Sequence, residues 1–144
     1  MISALSMPQA LRDRIAEEAL KAYPGECCGL IEGTRDGNTA VAAAIHSTRN
    51  VAKTPDRFEI DPAEHIRLLR AAREKEHTII GCYHSHPNGV SEPSAADRAG
   101  AGEEDFVWLI AAVGKDKKAK IAAFVYGARA FAPIRLARAK GAKV

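Results

Sequence analysis

The run Thr78-Ile79-Ile80-Gly81-Cys82-Tyr83 empties directly into His84-Ser85-His86-Pro87, and this junction constrains the chain more than any other part of it. The apolar half reads as a buried strand, in which successive side chains alternate between faces. His84 and His86 therefore look the same way. Their Cα atoms are expected roughly 6.5 to 7 Å apart, a separation from which two ring nitrogens converge on one ion at about 2.0 to 2.1 Å each. Pro87 has no N–H for a sheet ladder, so it ends the strand and releases the chain into Asn88-Gly89-Val90-Ser91-Glu92.

Asp97 is the natural third ligand, because Pro93-Ser94 opens a helical Ser-Ala-Ala-Asp segment that presents the carboxylate from its first turn. Two histidines and one carboxylate leave a zinc ion a fourth, open position. That is the pattern of catalytic zinc, whereas structural zinc is closed by four protein ligands rich in cysteine. Each fragment also has a plainer reading: His-x-His as a polar strand end, and Ser94-x-x-Asp97 as a capping box. Their joint spacing favours the metal.

The run His84-Ser85-His86-Pro87, then five residues, then Pro93-Ser94-x-x-Asp97, with Glu26-Cys27-Cys28-Gly29-Leu30 upstream, resembles the JAMM (MPN+) metalloproteases. These cleave isopeptide or peptide bonds at ubiquitin-like C-termini. The order helix, hairpin, helix, metal strand is also similar to the compact prokaryotic members over most of the chain. The resemblance implies zinc on His84, His86 and Asp97, Glu26 as general base, and Ser94 steadying the developing oxyanion. It implies as substrate a ubiquitin-like or sulfur-carrier protein cut after a C-terminal Gly-Gly. The loop Asn88 to Glu92 differs from the proline or alanine that many members carry there.

Glu26 has a chemical argument of its own. Following Pro24-Gly25 and preceding a fully apolar strand, it is either an exposed carboxylate or one aimed into a cleft. Zinc lowers the pKa of water to about 7, but a hydrolase still needs a group to take that proton and hand it to the leaving amine. The rival carboxylates are less well placed: Glu32, Glu59 beside a helix start, Glu92 in the lip, and Glu103 and Glu104 two turns along the Asp97 helix. Cys82 shares the face of both histidines, so it rivals Asp97 as a ligand unless it is a small core residue behind the metal. Ser85 points to the opposite face and packs against the sheet. His46, His65 and His77 lack ligand spacing and read as surface or satisfied histidines. Asn50 either lines the cleft or simply belongs to a polar loop.

The remaining chain is read as one domain, 1–144. Ser6-Met7-Pro8-Gln9 starts a helix with Ser6 as cap and Pro8 in the first position, and Leu11, Ile15 and Ala19 form its buried stripe until Pro24. Cys27 to Gly33 and Thr39 to His46 form a hairpin around Asp36-Gly37 with a somewhat longer loop. Asp61-Pro62-Ala63-Glu64 opens a second helix running to about Lys75. Strands Phe106 to Val113 and Lys120 to Tyr126, too apolar to be edges, are joined by a turn rich in lysine. A last strand spans Ala130 to Leu136, with Pro133 demoting it to an edge or a bulge. The order αββαβαβββ gives an α/β fold, a single-domain mixed curved β-sheet flanked by helices, with residues from Gly141 onward frayed.

Composition excludes some partners. A net charge of +3 over 144 residues, without a phosphate-tracking stripe, argues against nucleic acid, and nothing suggests a membrane. Cys27, Cys28 and Cys82, odd in number in a chain without a secretory h-region, point to reduced thiols in the cytoplasm. A zinc nucleoside deaminase needs His-x-Glu with Pro-Cys-x-x-Cys, and neither occurs. A non-catalytic MPN scaffold and a general small metallopeptidase stay as alternatives. A DNA-repair branch of the superfamily would carry Asn between the histidines. Pairing of two copies as a homodimer is left open.

Overall fold

The structure, a computed structural model, describes residues 1–54 and 56–139. Its elements are β1 (Ala4–Ser6), α1 (Gln9–Ala22), β2 (Cys28–Asp36), β3 (Thr39–Thr48), α2 (Pro62–Arg73), β4 (Thr78–His86), α3 (Ala95–Gly100), β5 (Phe106–Val113), β6 (Ala119–Gly127) and β7 (Ala130–Ala137). The frayed end expected from Gly141 lies outside the described residues.

The α/β composition holds, but the sheet is a closed barrel in the order β1-β3-β2-β4-β5-β6-β7 rather than an open curved sheet. Closure depends on β1, which pairs in parallel with both β3 and β7. Three residues are too short to show a period of two, so the strand was hidden in the sequence. It also removes the expected helix cap: Ser6 lies opposite Val41 and Ala137, and α1 starts after Pro8 without a side-chain cap bond. The hairpin loop shrinks to Gly37-Asn38, since Asp36 already pairs with Thr39 and Gly37 takes a φ of +62° that its missing Cβ permits. Asp61 does cap α2, its Oδ1 accepting from the Ala63 N–H at 3.0 Å, although the helix stops at Arg73 rather than near Lys75. Pro133 pairs only with Phe124 of β6, because β1 covers β7 from Arg135 onward. Its missing N–H therefore costs no ladder bond on the other side.

Two apolar layers follow. Ile15 and Ala19 of α1 pack with Ile31, Ile80, Tyr83, Val107 and Leu109 on one side of the sheet, and Leu68 and Ala72 of α2 pack with Leu30, Ile79, Cys82 and Trp108 on the other. Fully burying a side chain such as Ile15 contributes about 1.5 to 3 kcal/mol. A bulge decides which residues of β4 belong to which layer. Ile31 opposes Gly81 and Glu32 opposes Ile79, which leaves Ile80 without a partner on β2 and inverts the alternation past it. Cys82, His84 and His86 are thereby delivered to one face. Among the described residues, no helix is long and apolar enough to cross a membrane.

Glu32, which sequence considered only as a possible base, sits at this bulge, 1% exposed. Its Oε1 lies 2.8 Å from His46 Nε2, and its Oε2 lies 2.5 Å from His77 Nδ1 and 3.4 Å from Lys75 Nζ. Both histidines are thus satisfied, as expected of them. Burial alone would raise the carboxyl pKa, but the bonds from His77, His46 and Lys75 outweigh it and hold the group at about 2. The folded pKa lies below the ordinary 4.5, so the linked stability is present above about pH 4.5 and is lost as pH falls towards 2. Glu32→Gln is expected to cost about 3 kcal/mol at neutral pH. The melting temperature would drop by on the order of 5 to 10 °C. Thermal melts across pH should show this deficit shrinking below pH 4.5; a deficit independent of pH would assign Glu32 a packing role only.

Candidate active site

The face set by the bulge carries His84 and His86 to the end of β4, where both are buried. After Pro87 the chain loops back into α3, whose first turn supplies Asp97, also buried. The capping box read from Ser94-x-x-Asp97 is present: Asp97 N–H donates to Ser94 Oγ at 3.1 Å, and Ser94 N–H donates to Asp97 Oδ2 at 2.8 Å. Capping does not draw the carboxylate away from the histidines. The cap holds the carboxylate with Oδ2 3.2 Å from His84 Nε2 and 3.0 Å from His86 Nε2, and the two Nε2 atoms are 2.9 Å apart.

Three acceptor-bearing atoms at such distances form a ligand set that suits an ion bound at about 2.0 to 2.2 Å from each. The rings are oriented for it. His86 Nδ1 donates to the Val90 carbonyl at 2.9 Å, which leaves the Nε2 lone pair facing the cluster. His84 lies under Phe58, stacked with ring centroids 4.1 Å apart, and is T-shaped to Trp108 with ring centroids 5.9 Å apart. Among the described residues its Nδ1 is buried without a hydrogen-bond partner. Burial pushes the His84 pKa down against the pull of Asp97, which favours the neutral imidazole that a metal requires. For Asp97, burial would raise the carboxyl pKa, but bonds from His84, His86 and the Ser94 backbone hold it far below the usual range. The residues therefore fit a metal ion, and they are the three that converge among the described residues.

Cys82 lies on the same face but outside this group. Burial drives its thiol pKa well up, and it lines an adjoining trough of about 520 Å³ with Leu30, Phe58, Phe106, Trp108 and Asp97.

Glu26 stands in the connection between α1 and β2 and shares a cavity of about 240 Å³ with His86, Ser94, Asn88 and Asp56. Among the described residues its Oε1 is buried without a partner. Burial, with Asp97 and Asp56 adding to it against His86, pushes its pKa up to about 7. Ser85 explains how this segment is held: its Oγ accepts from Cys27 N–H at 2.8 Å, and its own N–H donates to the Cys27 carbonyl at 3.0 Å. The serine between the histidines faces away from them, as expected, and ties the residue after Glu26 to β4.

One expectation is corrected, and one of the two readings of Asn50 is selected. α3 ends at Gly100, so Glu103 and Glu104 are not on the Asp97 helix, and Glu104 instead accepts from Ala128 N–H at 3.1 Å. Asn50 organises its loop rather than lining the cleft: Oδ1 accepts from Ala52 and Glu59, each at 3.0 Å, and Nδ2 donates to the Arg57 carbonyl at 3.1 Å. The residues that sequence reasoning missed, Phe58 and Trp108, left no local signal, because an aromatic in a polar loop and one in an apolar strand become neighbours of His84 only through the fold.

The barrel with its flanking helices is a JAB/MPN-type domain. The match is direct: residues 8–125 fit the family of prokaryotic homologs of the JAB domain, and the chain belongs to that family. A desampylase from Haloferax volcanii is 37% identical over 113 residues, covering 75% of this chain and 80% of that protein. A CysO-cysteine peptidase from Mycobacterium tuberculosis is 26% identical over 100 residues, covering 69% of this chain and 67% of that protein. A JAB1/MPN domain protein from Archaeoglobus fulgidus has a similar fold, with a TM-score of 0.60 at 17% identity, over 94% of this chain and 99% of that one.

Proposed function

We propose that this chain is a zinc-dependent hydrolase that cuts peptide or isopeptide bonds after the C-terminal Gly-Gly of a ubiquitin-like or sulfur-carrier protein. The observation that carries this reading is the convergence of buried His84, His86 and Asp97 beside a cavity that Glu26 and Ser94 share. Relatives named desampylase and CysO-cysteine peptidase support the substrate class.

His84, His86 and Asp97 would hold a zinc ion, which would supply Lewis acidity at the scissile bond near neutral pH. The proton work falls to Glu26, whose unpartnered Oε1 is free to accept a proton from the attacking water and to return it to the departing nitrogen. Ser94 Oγ already accepts from Asp97 N–H, which leaves its hydroxyl hydrogen to donate to the developing oxyanion. The Val90 carbonyl on His86 and the Phe58 ring on His84 keep both imidazoles in the liganding orientation.

An extended substrate tail cannot add as a strand beside β4, because β2 and β5 pair with it on both sides. The tail is seated instead in the apolar trough that Phe58, Phe106 and Asp97 help to line. The whole chain works as one catalytic domain in the cytoplasm. Replacing the glycine before the scissile bond of a carrier by alanine is expected to slow cleavage by on the order of 100-fold, as for a displaced reacting bond. Equal rates on both, or preference for unrelated unfolded peptides, would make the chain a general metallopeptidase.

A further inference from the structure

The structure places an unpartnered group of cations beside this cleft. Lys115, Lys117 and Lys118 form the turn between β5 and β6, and Lys120 follows on β6; all four are exposed. Among the described residues none of them joins a salt bridge. A solvated hairpin turn would explain such a cluster anywhere else, but the strand register fixes where this one sits. His86 pairs with Ala112, and Ala112 pairs with Lys120. Residues in register across a sheet point to the same face, so Lys120 shares the face of the metal ligands at two strand spacings, about 10 Å from His86.

The turn is also joined to the lip of the site. Gly89 packs so closely on the residue preceding Lys115 that a Cβ on it would lie 3.2 Å from Gly114 Cα. Next to Gly89 are Asn88, which lines the Glu26 cavity, and Val90, 47% exposed although its carbonyl is tied to His86. Asp116 is the single acid in the turn, and its Oδ1 is engaged by the Lys118 N–H at 3.1 Å. Exposed Val90 and the lysine turn thus stand at the edge of the cleft, with Lys120 about one Debye length from His86.

We propose that Lys115, Lys118 and Lys120, with Val90, form a docking surface for an acidic face of the folded carrier whose tail is cut, so that charge steers the carrier while the trough reads its tail. This rests on the functional reading above. A partner of opposite charge gains encounter rate from such a rim, on the order of 10-fold or more at low salt, and the gain falls steeply with ionic strength.

The test compares the zinc-loaded wild type with the triple variant Lys115→Glu, Lys118→Glu, Lys120→Glu and with its glutamine counterpart. Lys117, at a φ of +58°, is left alone. The probes are an acidic ubiquitin-like carrier extended beyond Gly-Gly, and a short peptide with the same tail. Expected is a rise in KM for the carrier of about tenfold or more in the glutamate variant, smaller in the glutamine one, with kcat and the peptide rates unchanged. The wild-type kcat/KM for the carrier should fall with added salt, and that of the variants should not. Titration of the carrier onto Glu26→Gln, with and without the lysine changes, reads binding without turnover. Binding that needs the lysines, with no cleavage by wild type, would retain the surface and sink the hydrolase reading. Cleavage with KM and salt slope unchanged in the variants would do the reverse, and a wild type that neither binds nor cuts the carrier would overturn both.

Discussion

Glu26→Gln is expected to keep its metal and its melting temperature while losing turnover by on the order of 100-fold or more, as for removal of a positioned general base. The substitution preserves volume and leaves an amide that cannot accept and return a proton. Among the described residues nothing makes Glu26 a support of the fold, since its Oε1 has no hydrogen-bond partner there and the segment is held through Cys27 and Ser85. Single-turnover rates together with metal content distinguish the outcomes. Hydrolysis near the wild-type rate would remove Glu26 from the mechanism, and loss of zinc alongside activity would recast it as a ligand.

The second large effect belongs to Asp97. Substituting residues that merely orient a ligand costs roughly 10- to 100-fold in metal affinity, so removal of the carboxylate itself in Asp97→Ala should exceed that and leave the purified protein essentially free of zinc and inactive. Alanine also deletes the acceptor for Ser94 N–H, which loosens α3 by about 1 kcal/mol. Asp97→Asn separates the two effects: an amide oxygen still accepts from Ser94, so the helix start survives while the anionic ligand is gone. Metal analysis of both variants checks this. Zinc retained at one per chain in either would put the third ligand elsewhere.

Much of this site was legible because it is built from local geometry. His84 and His86 converge through the two-residue period of a strand, and Asp97 reaches them through a cap spelled out by Ser94 three residues earlier. What escaped the sequence depends on contacts between distant segments. β1 is too short for a pattern and gains its identity only from β3 and β7, so the barrel read as an open sheet. Ser6 resembled a cap because serine suits both a helix start and a strand end. The Ile80 bulge is set by pairing with β2, and no residue type announces it. Glu32, His46 and His77 lie far apart in the chain and become one cluster only when that bulge turns Glu32 towards the α2–β4 turn. Phe58 becomes a cover for His84 through a loop folded about Asn50, whose amide organises backbone on both sides of it.

The most direct test of a zinc hydrolase acting after Gly-Gly is intact mass spectrometry of a ubiquitin-like carrier extended beyond that dipeptide, incubated with zinc-loaded wild type, with the chelated protein, and with Glu26→Gln. Expected is a single new carrier mass ending at Gly-Gly, formed by the wild type and abolished by chelation or by loss of Glu26. A carrier left intact by zinc-loaded wild type, cut at some other bond, or cut equally well by Glu26→Gln would contradict it.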